Sequence, residues 1–215
     1  MTEIVKIGTA EMRLQDCMEY MHGLPDKAFD LAITDPPYGI NKDGQTKTTG
    51  GNGGRKAHEF KGWDSSAPCS EYFKELFRVS TNQIIWGANY MTTHLRPSMG
   101  WIFWDKGQRI NQSDGELAFS SFERALRVFE LNRVALLIEG TIHPTQKPVK
   151  LYEWLLANYA KPGQRILDTH LGSMSSVIAC LNHGFEIVGC ELDADYFKTG
   201  VERVRDSQKQ QKLEI

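Results

Sequence analysis

The sequence has few cysteines, and their spacing argues against two kinds of site. Cys17, Cys69, Cys180 and Cys190 are widely separated, with no CxxC pair and no histidine at zinc-ligand spacing. Neither a metal site nor a disulfide framework is therefore expected. Buried free thiols are the simpler interpretation.

Long apolar runs and a secretory signal are also missing. No stretch approaches the roughly 18 consecutive apolar residues that a membrane-spanning helix needs. Residues 1–8 lack a basic region followed by an apolar run and a cleavage site. With 40% hydrophobic and 24% charged residues, the 215-residue chain has the composition of a globular domain, which we expect to stay inside the cell.

A strong net charge is absent as well. The formal charge of −2 is unlike the basic composition of proteins that bind nucleic acid without sequence preference. Residues 41–62, however, hold five positive and two negative side chains, an excess of +3, with many glycines and few apolar residues. They predict a long loop that either contacts phosphates or is merely solvated. The candidate phosphate contacts are Lys47, Arg55, Lys56 and Lys61.

The rest of the sequence alternates short apolar segments with helical patterns. Residues 69–77 have the apolar spacing of a helix, which Ser65 or Ser66 can cap. This alternation predicts an α/β fold with a doubly wound, mostly parallel sheet. The predicted strands include residues 31–34, 83–86, 101–104, 165–167 and 186–190.

The tetrapeptide Asp35-Pro36-Pro37-Tyr38 directly follows the first of these strands. Ligands of doubly wound sheets bind outside the carboxyl ends of the strands, so the tetrapeptide stands where chemistry is expected. Its two prolines remove two backbone N–H donors. The turn therefore presents carbonyl oxygens and one carboxylate, and it is a site that accepts hydrogen bonds.

Such a turn suits a reaction at an exocyclic amino group of adenine or cytosine, whose nitrogen is a poor nucleophile because its lone pair is delocalised into the ring. If Asp35 and the Pro36 carbonyl each accept one amino hydrogen, the nitrogen can pyramidalise and its developing positive charge is stabilised. Tyr38 offers a face for stacking the base, which must first be flipped out of a duplex. The structural alternative is a strand-terminating turn with an aromatic plug.

A second pattern, near the C-terminus, indicates a cofactor. Residues 167–174 join a strand to a helix, and Gly172 with Ser173 allows a tight turn whose free amides suit a carboxylate. Asp168 can meet an ammonium group there. About twenty residues later, Glu191 ends the next strand, where an acidic side chain accepts hydrogen bonds from ribose. The pattern predicts an adenosine-containing cofactor, although nicotinamide enzymes and purely structural βαβ units share it.

Together these motifs resemble the beta-type amino-methyltransferases of DNA, especially the small phage-like adenine-specific DNA methylases. In that family the catalytic tetrapeptide lies near the N-terminus and the cofactor loop near the C-terminus. A segment like His-Pro-Thr-Gln-Lys-Pro, here residues 143–148, precedes the cofactor loop. All three motifs occur in this order, and the resemblance covers nearly the whole chain.

The resemblance implies a Rossmann-like methyltransferase fold, S-adenosyl-L-methionine as the cofactor and double-stranded DNA as the substrate. It also implies a cytoplasmic location in a bacterial or phage-infected cell. The catalytic residues would be Asp35, Pro36, Pro37 and Tyr38. The cofactor residues would be Asp16, Cys17, Thr145, Gln146, Lys147, Asp168, His170, Gly172, Ser173, Glu191 and Leu192. Within this set Thr145, Gln146 and Lys147 would enclose the methionine part, and Asp16 and Cys17 would lie beside the adenine.

The chain departs from the family pattern in two places. In the cofactor turn, His170 replaces an aromatic residue, and Met174, whose side chain could crowd the cofactor, replaces a glycine. Because the backbone amides and Gly172 remain, cofactor binding is still expected. Only about twenty residues separate Phe122 from His143, where the family commonly places its target-recognition region. Recognition would then be short, relaxed or completed by a homodimer partner.

We therefore expect a single methyltransferase domain spanning residues 1–215. Its parts would be a catalytic half (1–122) with a mobile loop (41–62), a reduced target-recognition region (123–142) and a cofactor-binding half (143–215). Phe119 or Phe122 would either pack against the flipped base or belong to the core.

The expected reaction is methylation of an adenine amino group in DNA. Methylation of the cytosine amino group uses the same chemistry and stays open. A catalytically silent cofactor-binding or DNA-binding subunit is the alternative from outside the enzyme class. Methylation of RNA or of a protein glutamine is disfavoured by the order of the motifs.

Overall fold

The computed structural model describes residues 2–44, 57–107, 113–132 and 140–213. Within these ranges, nine strands form one sheet with helices on both faces. The strands are β1 Glu3–Ile7, β2 Ala10–Leu14, β3 Phe29–Thr34, β4 Ser80–Trp86, β5 Trp101–Asp105, β6 Gly115–Ser120, β7 Arg127–Glu130, β8 Arg165–Asp168 and β9 Glu186–Glu191. The α-helices are α1 Cys17–His22, α2 Ser70–Val79, α3 Val149–Tyr159, α4 Ser175–His183 and α5 Ala194–Leu213, and short 3-10 turns cover Ala88–Tyr90 and Thr92–His94.

The strand order is β1-β2-β9-β8-β3-β4-β6-β5-β7. The pairs β2/β9, β9/β8, β8/β3, β3/β4 and β5/β7 are parallel, whereas β1/β2, β4/β6 and β6/β5 are antiparallel. The predicted doubly wound, mostly parallel sheet is thus confirmed. From the central pair β3 and β8, the chain winds outward in opposite directions, and such a switch point opens a crevice at the carboxyl ends of the strands.

The two faces of the sheet are covered by different helices. Because side chains alternate along a strand, Ile84 packs with α3, α4 and α5, while Ile85 packs with α1 and α2. The predicted helix over residues 69–77 is α2, which buries Phe73 and Leu76 completely or nearly so. Burying each such side chain stabilises the fold by roughly 1.5–3 kcal/mol.

Three details differ from the sequence-based expectations. Helix α2 begins after Cys69 without a side-chain cap, so the cap proposed at Ser65 or Ser66 is wrong. The hairpin of β1 and β2 was not predicted from the sequence. Strand β7 was not predicted either, and it lies inside the expected target-recognition region. Both β1 and β7 are edge strands with several exposed residues, and their pattern of alternation is correspondingly weak.

Among the described helices, none is long and apolar enough to cross a membrane.

Candidate active site

A cleft of about 1650 Å³ opens at the carboxyl ends of the central strands. The tetrapeptide after β3 and the turn after β8 both line it, together with the segment around Lys147. A cleft of this size has room for a nucleoside cofactor and a base, since ordinary small-molecule sites occupy roughly 300–1,000 Å³. The two motifs that the sequence separates are therefore walls of one site.

Three buried hydroxyl groups hold the ends of β3 and β8 together. The Thr34 hydroxyl lies 2.5 Å from that of Thr169 and 2.9 Å from that of Tyr72. The hydroxyls of Tyr72 and Thr169 are 2.7 Å apart. Because Thr34 precedes Asp35 and Thr169 follows Asp168, this cluster fixes the catalytic and cofactor turns relative to each other.

The shape of the tetrapeptide turn depends on Asp64, which the sequence analysis did not single out. One oxygen of its carboxylate accepts the backbone N–H groups of Tyr38 and Gly39 at 2.6 and 2.9 Å, and the other accepts that of Lys42 at 2.7 Å. Asp64 is only 2% exposed. Hydrogen bonds to a charged group are among the stronger ones in proteins, so Asp64 is a positioning residue for Tyr38.

The Tyr38 ring lies in a close-fitting space. It stacks on Tyr90 with ring centroids 5.4 Å apart and planes inclined by 19°. Below it, a Cβ atom added to Gly87 would lie only 2.0 Å from the Tyr38 ring, so glycine is required there. The Tyr38 hydroxyl donates to Asp35 Oδ1 at 2.6 Å. The predicted stacking residue and the predicted amino-group acceptor are thus in direct contact.

A buried lysine completes the catalytic side of the cleft. Lys147 Nζ lies 2.5 Å from Asp35 Oδ2, 3.1 Å from Glu116 Oε2 and 3.1 Å from the Tyr38 hydroxyl. Lys106 donates to the other oxygen of Glu116 at 2.6 Å. The resemblance placed Lys147 around the methionine part of the cofactor, whereas the structure joins it to Asp35.

The pKa values in this cluster follow from burial and charge. Burial raises the pKa of Asp35 above its ordinary value, against the effect of the nearby Lys147 ammonium. For Glu116, burial also acts upward, but Lys147 and Lys106 outweigh it and lower the pKa to about 2. Burial alone would lower the pKa of Lys147, yet Asp35 and Glu116 raise it. Glu116 and Lys147 are therefore both charged at neutral pH.

On the cofactor side, Glu191 supports the turn after β8. Its Oε2 accepts the Gly172 N–H at 2.8 Å, and its Oε1 accepts the Asp193 N–H at 2.8 Å. Asp168 points inward: it is 1% exposed, accepts from the His170 N–H at 3.0 Å and from the Ser176 hydroxyl at 2.6 Å, and is not among the described residues that line the cleft. Burial raises its pKa to about 7. The ammonium contact predicted for Asp168 has no support in this geometry.

The two unusual residues of the cofactor turn behave differently. His170 lines the cleft, and its Nδ1 lies 2.9 Å from the Thr169 hydroxyl. Burial lowers its pKa to about 4, so the imidazole is neutral at physiological pH. Met174 adopts a left-handed backbone conformation with φ 59°, is fully buried and packs beside Gly200 of α5. Met174 is not among the described residues that line the cleft, so its side chain is not in a position to crowd a cofactor there.

The other predicted cofactor residues line the same cleft, but two also have structural tasks. The Asp16 carboxylate caps α1 by accepting the backbone N–H groups of its first turn at 2.8 and 3.0 Å. Gln146 accepts the Ile142 N–H at 3.0 Å and donates to the Gly140 carbonyl at 2.8 Å. The predicted cofactor residues that line the cleft are Asp16, Cys17, Thr145, Gln146, Lys147, His170, Gly172, Ser173, Glu191 and Leu192.

Of the four predicted phosphate contacts, Lys47, Arg55 and Lys56 lie outside the described residues. Lys61 is described, and its ammonium lies 2.7 Å from Asp193 and 2.8 Å from Asp195. It therefore joins the end of the predicted loop to the turn after β9 and to the first turn of α5.

Neither Phe119 nor Phe122 is among the described residues that line the cleft. Phe119 is fully buried in the core, and Phe122 packs against Tyr159 with ring centroids 5.2 Å apart. The core interpretation of these residues is the one the geometry supports.

The chain is similar in sequence to proteins that are described as methylases. Residues 104–202 match the model of a family described as DNA methylase, N6_N4_Mtase. The sequence is 25% identical over 210 residues to YubD of Escherichia coli (strain K12), which carries the name of a methylase, and the alignment covers 90% of this chain and 89% of YubD.

Solved structures show the same fold. The crystal structure of the M1.HpyAVI-SAM complex superposes with a TM-score of 0.60 at 20% identity, covering 90% of this chain and 99% of that one. The cytosine-N4-specific PvuII DNA methyltransferase superposes with a TM-score of 0.59 at 12% identity, covering 97% and 96%. In sequence and in the order of its three motifs the chain is thus similar to amino-type DNA methyltransferases, and it shares their fold.

Proposed function

We propose that this protein transfers a methyl group from S-adenosyl-L-methionine to the exocyclic amino group of a flipped adenine in double-stranded DNA. The observation that carries the proposal is the position of Asp35. Its partly buried carboxylate lies at the switch point of the sheet, directly before Pro36 in sequence and in contact with Tyr38. In the family that the chain resembles, aspartate as the first residue of the tetrapeptide favours adenine as the target base.

The residues of the cofactor side fit S-adenosylmethionine chemically. Glu191 offers a carboxylate to ribose hydroxyls at the end of β9, and Gly172 and Ser173 offer space and polar atoms before α4. Cys17 and Leu192 add apolar surface for an adenine ring. When bound there, the cofactor supplies an electrophilic methyl group.

The chain's own residues activate the attacking nitrogen. Asp35 and the Pro36 carbonyl accept its hydrogens, so the positive charge that develops on the nitrogen meets fixed acceptors that need no reorganisation. Tyr38 stacks on the base and orients it. The nitrogen must also lose a proton, and a buried carboxylate with a raised pKa, as at Asp35, is suited to receive it.

Methylation of the cytosine amino group is the second candidate. The likeness in fold to the PvuII DNA methyltransferase, whose name gives it as cytosine-N4-specific, supports it. One of the two arguments for a silent subunit is weakened, since Met174 is fully buried and is not among the described residues that line the cleft. Three further points remain predictions: a homodimer partner, a cytoplasmic location, and phosphate contacts by Lys47, Arg55 and Lys56.

Mass spectrometry of digested DNA tests the proposal. Purified protein is incubated with S-adenosylmethionine and mixed-sequence duplex DNA, and the nucleosides are then identified. We expect N6-methyladenine as the product. Methylcytosine alone would refute the adenine assignment in favour of the second candidate. Absence of any methylated nucleoside, together with normal cofactor binding by calorimetry, would support the silent subunit.

The ion pair at Lys61 leads to a separate prediction. Lys61→Ala is expected to raise the Kd for S-adenosylmethionine about threefold, as expected for a partly exposed pair worth ~0.2–1 kcal/mol. The salt dependence of DNA affinity should stay unchanged, because the ammonium is already engaged by Asp193 and Asp195. Lys74→Ala, which breaks the exposed pair with Glu71, is the control and should change neither quantity. A salt slope smaller by about one would instead show that Lys61 contacts a phosphate.

A further inference from the structure

We infer that Lys147 reads the target base by donating a hydrogen bond to the ring nitrogen next to the reacting amino group, which is N1 in adenine. The inference rests on the proposed function and adds to it a base-specificity residue. It starts from the contact of Lys147 Nζ with Asp35 Oδ2 at 2.5 Å, on the carboxylate that is proposed to hold the amino group.

The Asp35 carboxylate has acceptor positions for the amino group in addition to those that bind Tyr38 and Lys147. A carboxylate offers about four lone-pair positions. In the described residues, the Tyr38 hydroxyl uses one on Oδ1 at 2.6 Å and Lys147 uses one on Oδ2. An amino hydrogen bound at a remaining position on Oδ2 would bring the adjacent ring nitrogen next to the Lys147 ammonium, which lies on the same oxygen.

The third N–H of Lys147 can be released at low cost. An ammonium has three donors, and here two of them meet the carboxylates of Asp35 and Glu116 while the third meets the neutral Tyr38 hydroxyl at 3.1 Å. A ring nitrogen is also a neutral acceptor, so it can replace the hydroxyl without separating either ion pair. This matters because leaving a buried charge unpaired is strongly destabilising.

Asp35 and Lys147 together form a fixed acceptor–donor pair. Adenine presents the complementary pattern, an amino donor beside a ring-nitrogen acceptor, and cytosine presents the same pattern. Guanine and thymine present a carbonyl acceptor beside an N–H donor. Their carbonyl oxygen would face the Asp35 carboxylate, and their N–H would face the Lys147 ammonium. The pair therefore explains how the pocket accepts bases with the right edge and rejects the other two.

Glu116 keeps Lys147 in this role. Its carboxylate is bound by Lys106 at 2.6 Å and by Lys147 at 3.1 Å, so these four side chains carry two positive and two negative charges. Without Glu116, Lys147 would neutralise Asp35 alone and oppose the positive charge that develops on the reacting nitrogen. Lys147 is 4% exposed and lies 5.4 Å from the Trp86 ring centroid, so its stem has little freedom to turn away.

A cycle that combines a variant enzyme with a modified base tests the inference. Duplexes carry either adenine or 1-deazaadenine, which has C–H in place of N1, at the methylated position found by mass spectrometry. For the unmodified enzyme, we expect kcat/KM to fall about 10-fold on 1-deazaadenine, the size of one lost specific contact. For Lys147→Met, we expect a fall of about 10-fold on adenine and no further fall on 1-deazaadenine.

Lys106→Met is the matched control. It removes a lysine that binds the same Glu116 but touches neither Asp35 nor the proposed base position in the described contacts. Its activity should fall, yet it should discriminate adenine from 1-deazaadenine as the unmodified enzyme does. Lys147→Gln, which keeps a neutral donor, serves as a second variant if the methionine variant does not fold, and it should retain part of the discrimination.

The inference is overturned if Lys147→Met, or Lys147→Gln in its place, prefers adenine over 1-deazaadenine as strongly as the unmodified enzyme. Any difference in the intrinsic reactivity of the two amino groups affects all enzymes equally and cancels in this comparison. If the unmodified enzyme methylates no ordinary DNA, the proposed function itself fails and the inference falls with it. If cytosine is the methylated base, 3-deazacytosine takes the place of 1-deazaadenine.

Discussion

Replacing Asp35 with alanine is expected to lower kcat by about 100-fold or more, the loss seen when one preorganised group that stabilises transition-state charge is removed. The carboxylate is the acceptor closest to the reacting nitrogen in the proposed mechanism, and the neighbouring carboxylate of Glu116 cannot take its place, because it is held by Lys106 and Lys147. Cofactor affinity should change little, since Asp35 is not one of the proposed cofactor contacts. Single-turnover methyl transfer and calorimetric titration measure the two quantities.

Asp35→Asn is the matched variant for this prediction. It keeps an acceptor oxygen of the same size but loses the charge and one acceptor, so its rate should lie between those of the alanine variant and the unmodified enzyme. Both variants should stay folded because Lys147 retains its pair with Glu116 at 3.1 Å. An alanine variant with full activity would show that Asp35 does not activate the amino group.

The two turns that build the site are predictable from sequence because each is a local pattern. An apolar strand followed by Asp35-Pro36 and a strand followed by a glycine turn at Gly172 can be recognised without knowing the rest of the chain. In a parallel sheet both turns must then open at the same edge. The βαβ unit that ends at Glu191 follows the same logic, and the structure places all of these features around one cleft.

The partners of Asp35 are not predictable in this way. Lys147, Glu116 and Asp64 lie far from it in sequence, and each belongs to a segment whose local pattern predicts something else. Lys147 belongs to a segment that resembles a cofactor wall, Glu116 is the second residue of a strand, and Asp64 lies just after the polar stretch that is predicted to be a loop. Their meeting depends on tertiary folding, which local patterns do not encode.

Met174 shows that the backbone conformation determines where the side chain of a substituted residue is placed. A side chain in place of a glycine is expected to fill the space that glycine leaves open, which here would be the cofactor site. At φ 59° and ψ 27°, however, the Met174 side chain is buried beside Gly200, where an added Cβ would lie 2.9 Å from its sulfur. The departure from the family pattern at Met174 is thus accommodated by α5 and not by the cleft.

Gly87→Ala is expected to lower kcat/KM by about 100-fold, since misplacing a reacting group by about 1 Å can have an effect of this size. The added Cβ would lie 2.0 to 2.4 Å from three atoms of the Tyr38 ring, far inside the roughly 3.5 Å separation of carbon atoms in contact. Tyr38 must therefore shift from its present stacked position on Tyr90, which disturbs the hydrogen bond of its hydroxyl to Asp35. The base then loses its stacking face, and Asp35 loses a fixed neighbour.

Gly184→Ala separates this clash from backbone strain. Gly87 and Gly184 have nearly the same conformation, with φ, ψ of 66°, 15° and 71°, 25°, so alanine at either position costs roughly 1 kcal/mol in the left-handed region. An added Cβ at Gly184 has no atom within 4 Å among the described residues. Both variants should show a similar loss of thermal stability from strain, but only Gly87→Ala should lose methyl transfer while keeping its affinity for S-adenosylmethionine. Equal activity losses in the two variants would show that the position of Tyr38 is not what Gly87 protects.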